Sequence, residues 1–94
     1  MTSNLKEWLA LNGYSQDNLN SVGKYGNSAI MKASREANLS IVDELISLNV
    51  DLNVKNIDGN SALWNACFGD SYACFEALVS AGINIDSQNV NNVT

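Results

Sequence analysis

The apolar positions of the chain recur at helical spacing in short segments that are separated by polar turns. In the first segment, apolar residues at positions 5, 8, 9 and 11 place a stripe along one side of a helix. This helix is predicted over residues 4 to 12, with Asn4 as its N-cap and Glu7 three residues later. Asn12-Gly13 is a stop signal, and a loop from Tyr14 to Gly26 follows.

A pair of helices is predicted after this loop. Ser28 is placed to cap a short helix that runs to about Arg35. Asn38 is placed to cap a longer helix from about Leu39 to Leu48. The apolar residues that recur at helical spacing in the longer helix are expected in the core, namely Leu39, Val42, Leu45 and Ile46.

A second pair of helices has the same pattern. Ser61 is placed to cap its first helix, and Asp70-Ser71 makes the turn and the cap of the second. Gly82 can adopt the left-handed conformation that ends a helix, and residues 83 to 92 are expected to form an extended turn. The predicted core residues of this pair are Leu63, Ala66, Phe75, Leu78 and Val79.

The two helix pairs are copies of one 33-residue unit. Gly26-Asn27-Ser28-Ala29 is followed 33 positions later by Gly59-Asn60-Ser61-Ala62. The same shift places Ala33 on Ala66 and Leu45 on Leu78. A repeat of this length is typical of proteins in which supersecondary units stack and bury a continuous core. The sequence therefore predicts a solenoid of helix pairs.

The period and its motifs resemble those of the ankyrin repeat family, whose unit carries Thr-Pro-Leu-His-x-Ala. Residues 28–33 and 61–66 correspond to that motif, although Ser-Ala replaces Thr-Pro in both and Met31 and Trp64 replace the His. The segments after these motifs resemble the second helix of the family and the strand after it, with Asn49 in place of the helix-ending Gly of the first copy. The resemblance implies an all-α ankyrin-repeat solenoid of helix-turn-helix units joined by β-hairpin-like turns.

The resemblance also divides the chain into parts of a single domain. Residues 1–25 correspond to an N-terminal cap half-repeat and loop, 26–58 to the first full repeat, 59–91 to the second, and 92–94 to the start of a third. Each repeat buries its apolar face only against its neighbours. We therefore expect either a fragment of a longer array or an open C-terminal face that self-associates, for example as a homodimer.

Composition narrows the classes of partner. Five basic and ten acidic residues give a net charge of −5. This disfavours nucleic acid and anionic membranes, and it makes a basic or neutral protein surface the more plausible partner. The longest apolar runs, such as Trp8-Leu9-Ala10-Leu11, are too short for a transmembrane helix, and the N-terminus does not resemble a signal peptide. A cytoplasmic location is therefore expected.

The chain offers little for catalysis. It contains no His, so mechanisms that pair Ser, Cys or a metal with His lack a base or a ligand. A carboxylate pair is formally possible, but Asp51 and Asp86 recur near the repeat spacing and are expected to be turn residues. Cys67 and Cys74 are interpreted as buried, reduced thiols rather than a disulfide or metal pair. We predict no catalytic residue, no metal and no cofactor.

The resemblance implies a non-catalytic module that binds another protein through a concave face of turn tips and first helices. Carried over one by one, the variable positions of that face are Lys24, Tyr25, Asn27, Arg35, Glu36, Ile57, Asp58, Asn60, Phe68, Val90, Asn91 and Val93. Among them, Tyr25, Ile57 and Phe68 are hot-spot candidates, unless they are scattered surface apolar residues.

Other distinctive side chains are expected to have structural roles. Trp8, Met31 and Trp64 are expected to pack in the core or between repeats. Asn53 is expected to hold its own turn by hydrogen bonds from side chain to backbone. The acidic residues of the helices are expected to form a solvated face, namely Glu36, Asp43 and Glu44.

Overall fold

The computed structural model describes residues 1–85. Within them lie five α-helices and one 3-10 turn, at Lys24–Gly26. The helices are α1 (Ser3–Leu11), α2 (Ala29–Arg35), α3 (Leu39–Ser47), α4 (Ala62–Phe68) and α5 (Tyr72–Ser80). The predicted all-α class is confirmed. The turn predicted at residues 83 to 92 lies mostly outside the described residues, as does the start of a third repeat.

The helices form two layers. In one layer α2 packs against α4, and in the other α3 lies between α1 and α5. Contacts of α2 with α3 and of α4 with α5 join the layers within each pair. The two helix pairs therefore stack side by side, and α1 covers the N-terminal side of α3.

Two pairs of equivalent core positions are buried to the same extent. Ala33 and Ala66 are 0% exposed, and so are Leu45 and Leu78. Small residues on α2 and α4 let these two helices approach closely, while each fully buried Leu contributes about 1.5–3 kcal/mol to stability. Met31 is buried as predicted, and Trp64 is half-buried.

Asparagine side chains connect the turn of one unit to the turn of the next. Asn20 Oδ1 accepts a hydrogen bond of 2.7 Å from the backbone N–H of Asp51. At the equivalent positions, Asn53 Oδ1 accepts one of 2.8 Å from the N–H of Asn84. The bond that the Asn53 side chain accepts thus reaches the following unit, whereas the sequence predicted one within its own turn.

The residues that cap the helices differ in part from those predicted. Thr2, not Asn4, caps α1, because the helix begins earlier than predicted and Asn4 lies inside it. The Thr2 hydroxyl accepts a bond of 3.2 Å from the N–H of Leu5. The predicted caps at Asn38 and Ser71 are confirmed, since both side chains accept a bond from the first turn of their helix.

Ser28 and Ser61 hold the N-cap positions of α2 and α4, but their side chains make no capping hydrogen bond. The prediction that these hydroxyls cap the helices is therefore wrong. Both hydroxyl oxygens are buried without a hydrogen-bond partner among the described residues. An unpaired buried hydroxyl is unfavourable by about 1–3 kcal/mol, so neither side chain adds the stability that a capping hydrogen bond would give.

Several residues of the predicted apolar stripes are exposed. Leu11 and Leu39 are 78% and 37% exposed, because they are the last residue of α1 and the first of α3. Val79 is 39% exposed on α5, which packs on α3 and α4. Cys74 is buried as predicted, but Cys67, near the end of α4, is exposed, and the two thiols form no disulfide.

The acidic residues of the helices are not all free in solvent. Glu44 accepts hydrogen bonds of 2.7 Å from the N–H of Thr2 and 2.5 Å from its hydroxyl, and it thereby joins the start of α1 to α3. Both bonds lower the pKa of Glu44, and the bond from the Thr2 hydroxyl has the larger effect. Glu36 forms an ion pair with Lys32, so of the predicted solvated face only Asp43 is exposed without such a contact.

Candidate functional site

A groove of about 440 Å³ lies where the loop before α2 meets α2 and α4. It is open to solvent along Tyr25 and Arg35, which are both exposed. We call it the concave groove, and its lining residues are Asn12, Tyr14, Gly23, Lys24, Tyr25, Asn27, Lys32, Arg35 and Asn65.

The concave groove is basic. Lys24, Lys32 and Arg35 line it, and none of its lining residues is acidic. Lys32 Nζ lies 3.1 Å from Glu36 Oε2, one helical turn away at the edge of the groove. Both side chains are about 40% exposed, so this ion pair contributes only about 0.3–0.5 kcal/mol.

Arg35 and Phe68 occupy equivalent positions of the two repeats and contact each other. The guanidinium carbon of Arg35 lies 5.4 Å from the centroid of the Phe68 ring. The ring in turn lies 6.4 Å from that of Trp64, one turn earlier in α4. A cation–π contact at an exposed site is worth about 0.5–1 kcal/mol. It holds Phe68 at the surface, where the side chain is 50% exposed.

Tyr25 stands at the turn tip in an unusual backbone conformation. Its φ of 61° is left-handed, which costs a non-glycine residue about 1–2 kcal/mol. Its carbonyl accepts a 3.0 Å hydrogen bond from the N–H of Ile57 in the next turn, and Lys24 Nζ lies 5.1 Å from its ring centroid. The ring remains 58% exposed. Strain of this kind is often kept at functional sites.

Tyr14 forms part of the groove wall. Its ring stacks parallel to that of Trp8 at 6.0 Å, and its hydroxyl donates a 3.1 Å hydrogen bond to the carbonyl of Asn27. Burial, with the negative charge of Glu36 as a second cause, raises the pKa of Tyr14, so the phenol remains a donor at neutral pH. Trp8, predicted in the core, is half-buried, and its ring N–H donates to Glu36 at 3.3 Å.

The structure brings together some of the residues that the sequence placed on the binding face. Lys24, Tyr25, Asn27 and Arg35 line the concave groove, and Phe68 contacts Arg35 beside it. Glu36 lies at its edge. Ile57 and Asp58 are exposed on the next turn but do not line the groove. The remaining candidates lie outside the described residues, namely Val90, Asn91 and Val93.

Asn60 is not a surface residue, which corrects the prediction. It is 8% exposed, and its backbone closes a tight turn with Asn56. The Asn60 carbonyl accepts a bond of 3.0 Å from the Asn56 N–H, and the Asn60 N–H donates one of 3.0 Å to Asn56 Oδ1. Asn27 is half-buried, and its Oδ1 accepts a 2.8 Å bond from Asn56 Nδ2 that ties the two turn tips together. The bond between Asn56 and Asn27 therefore helps to fix a turn tip that lines the groove.

Several lining residues were not among the predicted binding residues. Lys32 lies three residues before Arg35, so both side chains occupy one side of α2. Three basic residues of a chain that has only five fall between positions 24 and 35, a clustering that could have indicated a basic surface. Asn65 is the repeat equivalent of Lys32. The other lining residues come from the N-terminal region, namely Asn12, Tyr14 and Gly23.

A second depression, of about 330 Å³, lies between the end of α4 and the start of α5. Its lining includes the exposed aromatic Tyr72, at 75% exposure, and the half-buried Phe75. We call this surface the α5 face, and its lining residues are Ala66, Cys67, Asp70, Ser71, Tyr72 and Phe75.

Two kinds of structural feature are absent from residues 1–85. That part of the chain holds no group of three or more His, Cys, Asp or Glu side chains arranged to bind a metal ion. None of the helices described there is long and apolar enough to cross a membrane.

Comparison with known protein families agrees with the repeat pattern and the stacked helices. The family model described as ankyrin repeats (3 copies) matches residues 2–89. Ankyrin repeats are generally protein–protein interaction modules, and the family is typically non-catalytic. Because the match spans nearly the whole sequence, the chain belongs to the ankyrin repeat family.

Proposed function

We propose that the chain binds another protein through the concave groove and the exposed aromatic residues beside it, without catalysing a reaction. The observation that carries this proposal is the meeting of Tyr25, Arg35 and Phe68 along one surface. They come from a turn and two different helices. Tyr and Arg are enriched among the residues that dominate binding energy, and an exposed aromatic side chain can fill a pocket on a partner.

Contacts within the chain connect the parts of this surface to one another. Arg35 supports Phe68, and the bond from Asn56 to Asn27 joins the two turn tips. The hydrogen bond from Ile57 to the Tyr25 carbonyl fixes the backbone that presents the tyrosine ring. Side chains that are already ordered lose less entropy on binding, which favours affinity.

The proposal is tested with two variants that change similar exposed aromatic residues on different surfaces. A partner is captured with the wild-type chain, and its affinity is then measured by calorimetric titration. The double variant Tyr25→Ala/Phe68→Ala is expected to weaken binding at least about tenfold. Tyr72→Ala, on the α5 face, is the control and is expected to leave affinity within about twofold. Loss of binding in the control alone would contradict the proposal.

Self-association through the α5 face is a second candidate, supported by one specific observation. Val42 of α3 is 0% exposed, whereas Phe75, at the equivalent position of α5, is only half-buried. Tyr72 and Val79 add exposed apolar surface to this helix. Light scattering over a range of concentrations tests the idea. A dimer that dissociates in Tyr72→Glu would support it, and a monomer at every concentration would rule it out.

Other features of the proposal rest on the sequence. The predicted exclusion of nucleic acid and membranes follows from the net charge of −5. The cytoplasmic location and the repeat boundaries after residues 25, 58 and 91 also stay predictions.

A further inference from the structure

We propose that the concave groove receives an acidic segment of the partner protein, whose carboxylates contact Lys24 and Arg35. This inference rests on the proposed function and adds the chemistry of the partner to it. Beside these cations, Tyr25 and Phe68 offer exposed aromatic surface. The matching segment therefore combines two or three carboxylates with an apolar side chain.

The distribution of charge is the first argument. The groove holds three of the chain's five basic residues and no acidic residue. This leaves 5 − 3 = 2 basic residues, Lys6 and Lys55, for the rest of the chain, which carries the ten acidic residues; of these, Glu36 at the groove edge pairs with Lys32. The groove is thus a local basic surface on an acidic protein, and a ligand of opposite charge is complementary to it.

The contacts of the cations are the second argument. Among residues 1–85, neither Lys24 nor Arg35 forms an ion pair, and Lys32 pairs only with the exposed Glu36. Lys24 and Arg35 lie instead over aromatic rings. A ring face leaves the N–H donors at the edge of a guanidinium without acceptors. Arg35 can therefore offer a carboxylate two parallel hydrogen bonds while it stays over Phe68.

The net charge of the chain does not prevent such binding. At physiological ionic strength, charges more than about 8 Å apart are largely screened. A carboxylate in the groove therefore responds mainly to the nearby cations and little to acidic residues elsewhere. This differs from the basic or neutral partner expected from the net charge of −5, because the local charge of the groove has the opposite sign.

A peptide fits this surface better than a nucleic acid. A duplex carries one negative charge per about 1.7 Å of its axis, so its phosphates would extend past the groove. They would then approach Glu36 at the groove edge and the exposed Asp58 on the next turn. An extended peptide can place carboxylates on alternate residues and stop within the basic surface.

The test begins with selection of binders from a random short-peptide display library on the full chain. The enriched peptides are expected to be rich in Asp and Glu. Fluorescence polarisation then compares a selected peptide on Arg35→Glu and on Lys6→Glu, each of net charge −5 − 2 = −7. Arg35 lines the groove and Lys6 does not. Arg35→Glu is therefore expected to weaken binding at least about tenfold, and Lys6→Glu less than about twofold.

Arg35→Gln gives an intermediate loss if charge is what the groove recognises, and circular dichroism confirms that each variant keeps its helices. A library without acidic enrichment, or equal losses in Arg35→Glu and Lys6→Glu, overturns the inference. The inference is also overturned if a short single-stranded oligonucleotide displaces the bound peptide at a lower concentration than the free peptide does. Non-acidic peptides that lose binding in Tyr25→Ala/Phe68→Ala overturn the inference but leave the proposed function standing. Selected peptides insensitive to every groove variant contradict both.

Discussion

Leu45 in α3 and Leu78 in α5 are both fully buried, whereas Val42 and Phe75, which are also 33 positions apart, are not equally covered. Val42 lies on a helix that packs between α1 and α5. Phase and spacing are the same in both helices, so the difference lies in the side chain, valine or phenylalanine, and in what surrounds each helix. Equivalent apolar positions of the two repeats thus differ in how much of their surface remains available.

On the concave side, the two repeats differ in the chemistry of their side chains and not only in how deeply these are buried. Lys32 and Arg35 of the first repeat are replaced by Asn65 and Phe68 in the second. The core positions 33 and 66 meanwhile keep the same residue, alanine, with 0% exposure. The identical alanines belong to the core of both repeats, whereas the positions that differ give the groove two of its cations and place an aromatic ring beside it.

The largest expected effect tests whether the two repeats share an equally stable core. Leu45→Ala and Leu78→Ala are each expected to lower the free energy of unfolding by about 2–5 kcal/mol, because both side chains are fully buried. Urea denaturation followed by circular dichroism measures the loss. Leu48→Ala, at a position that is 38% exposed, is the control and should cost less than about 1 kcal/mol. A small loss in Leu78→Ala alone would show that the second repeat does not share the core of the first.

A second effect is expected at the end of α4, where Gly69 replaces the Glu36 of the first repeat. A Cβ at Gly69 would overlap with the backbone carbonyl of Arg35. Gly69→Ala is therefore expected to lower stability by about 1–3 kcal/mol, as overpacking commonly does. Thermal unfolding measures it, with Glu36→Ala as the matched change in the first repeat. Equal, small effects in both variants would mean that α2 and α4 are not in close contact there.

A stabilising change is expected where both repeats use a left-handed residue after their first helix. Ala37 has a φ of 58°, and Asp70 at the equivalent position has a φ of 55°. Ala37→Gly is expected to raise stability by up to about 1 kcal/mol, because it removes the clash of the Cβ. Asp70→Gly should gain less, since Asp tolerates this conformation better. A lower stability of Ala37→Gly in chemical denaturation would contradict the presence of backbone strain at this position.

The smallest expected effect is a dependence of stability on pH. It involves Glu44 of the first repeat and has no counterpart in the second, where Ala77 holds the equivalent position. Hydrogen bonds from Thr2 lower the pKa of Glu44 below its ordinary value of 4.5. The carboxylate therefore stabilises the fold above that value, and the contribution is lost as pH falls through the lowered pKa. Melting temperatures between neutral and acidic pH should fall less steeply in Glu44→Gln. Identical pH profiles would contradict the contact.

The repeat period allowed much of the fold to be predicted, because a spacing of 33 fixes which residues are equivalent. It predicted α2 to α5 nearly to the residue and the left-handed Gly82, whose φ is 92°. Contacts between units are less predictable. The pairing of Arg35 with Phe68 and the burial of Asn60 depend on how two turns and two helices meet in space. Ser28 and Ser61 have the residue type and position of caps, but their hydroxyls make no capping bond.

The most direct test of the account locates the bound partner on the chain by hydrogen–deuterium exchange. If the concave groove is the binding site, the captured partner will slow exchange in residues 23–36 and 65–69. Tyr25→Ala/Phe68→Ala should remove that protection, while residues 72–80 of helix α5 exchange at an unchanged rate. Protection confined to residues 72–80 would contradict the central claim and assign binding to the α5 face.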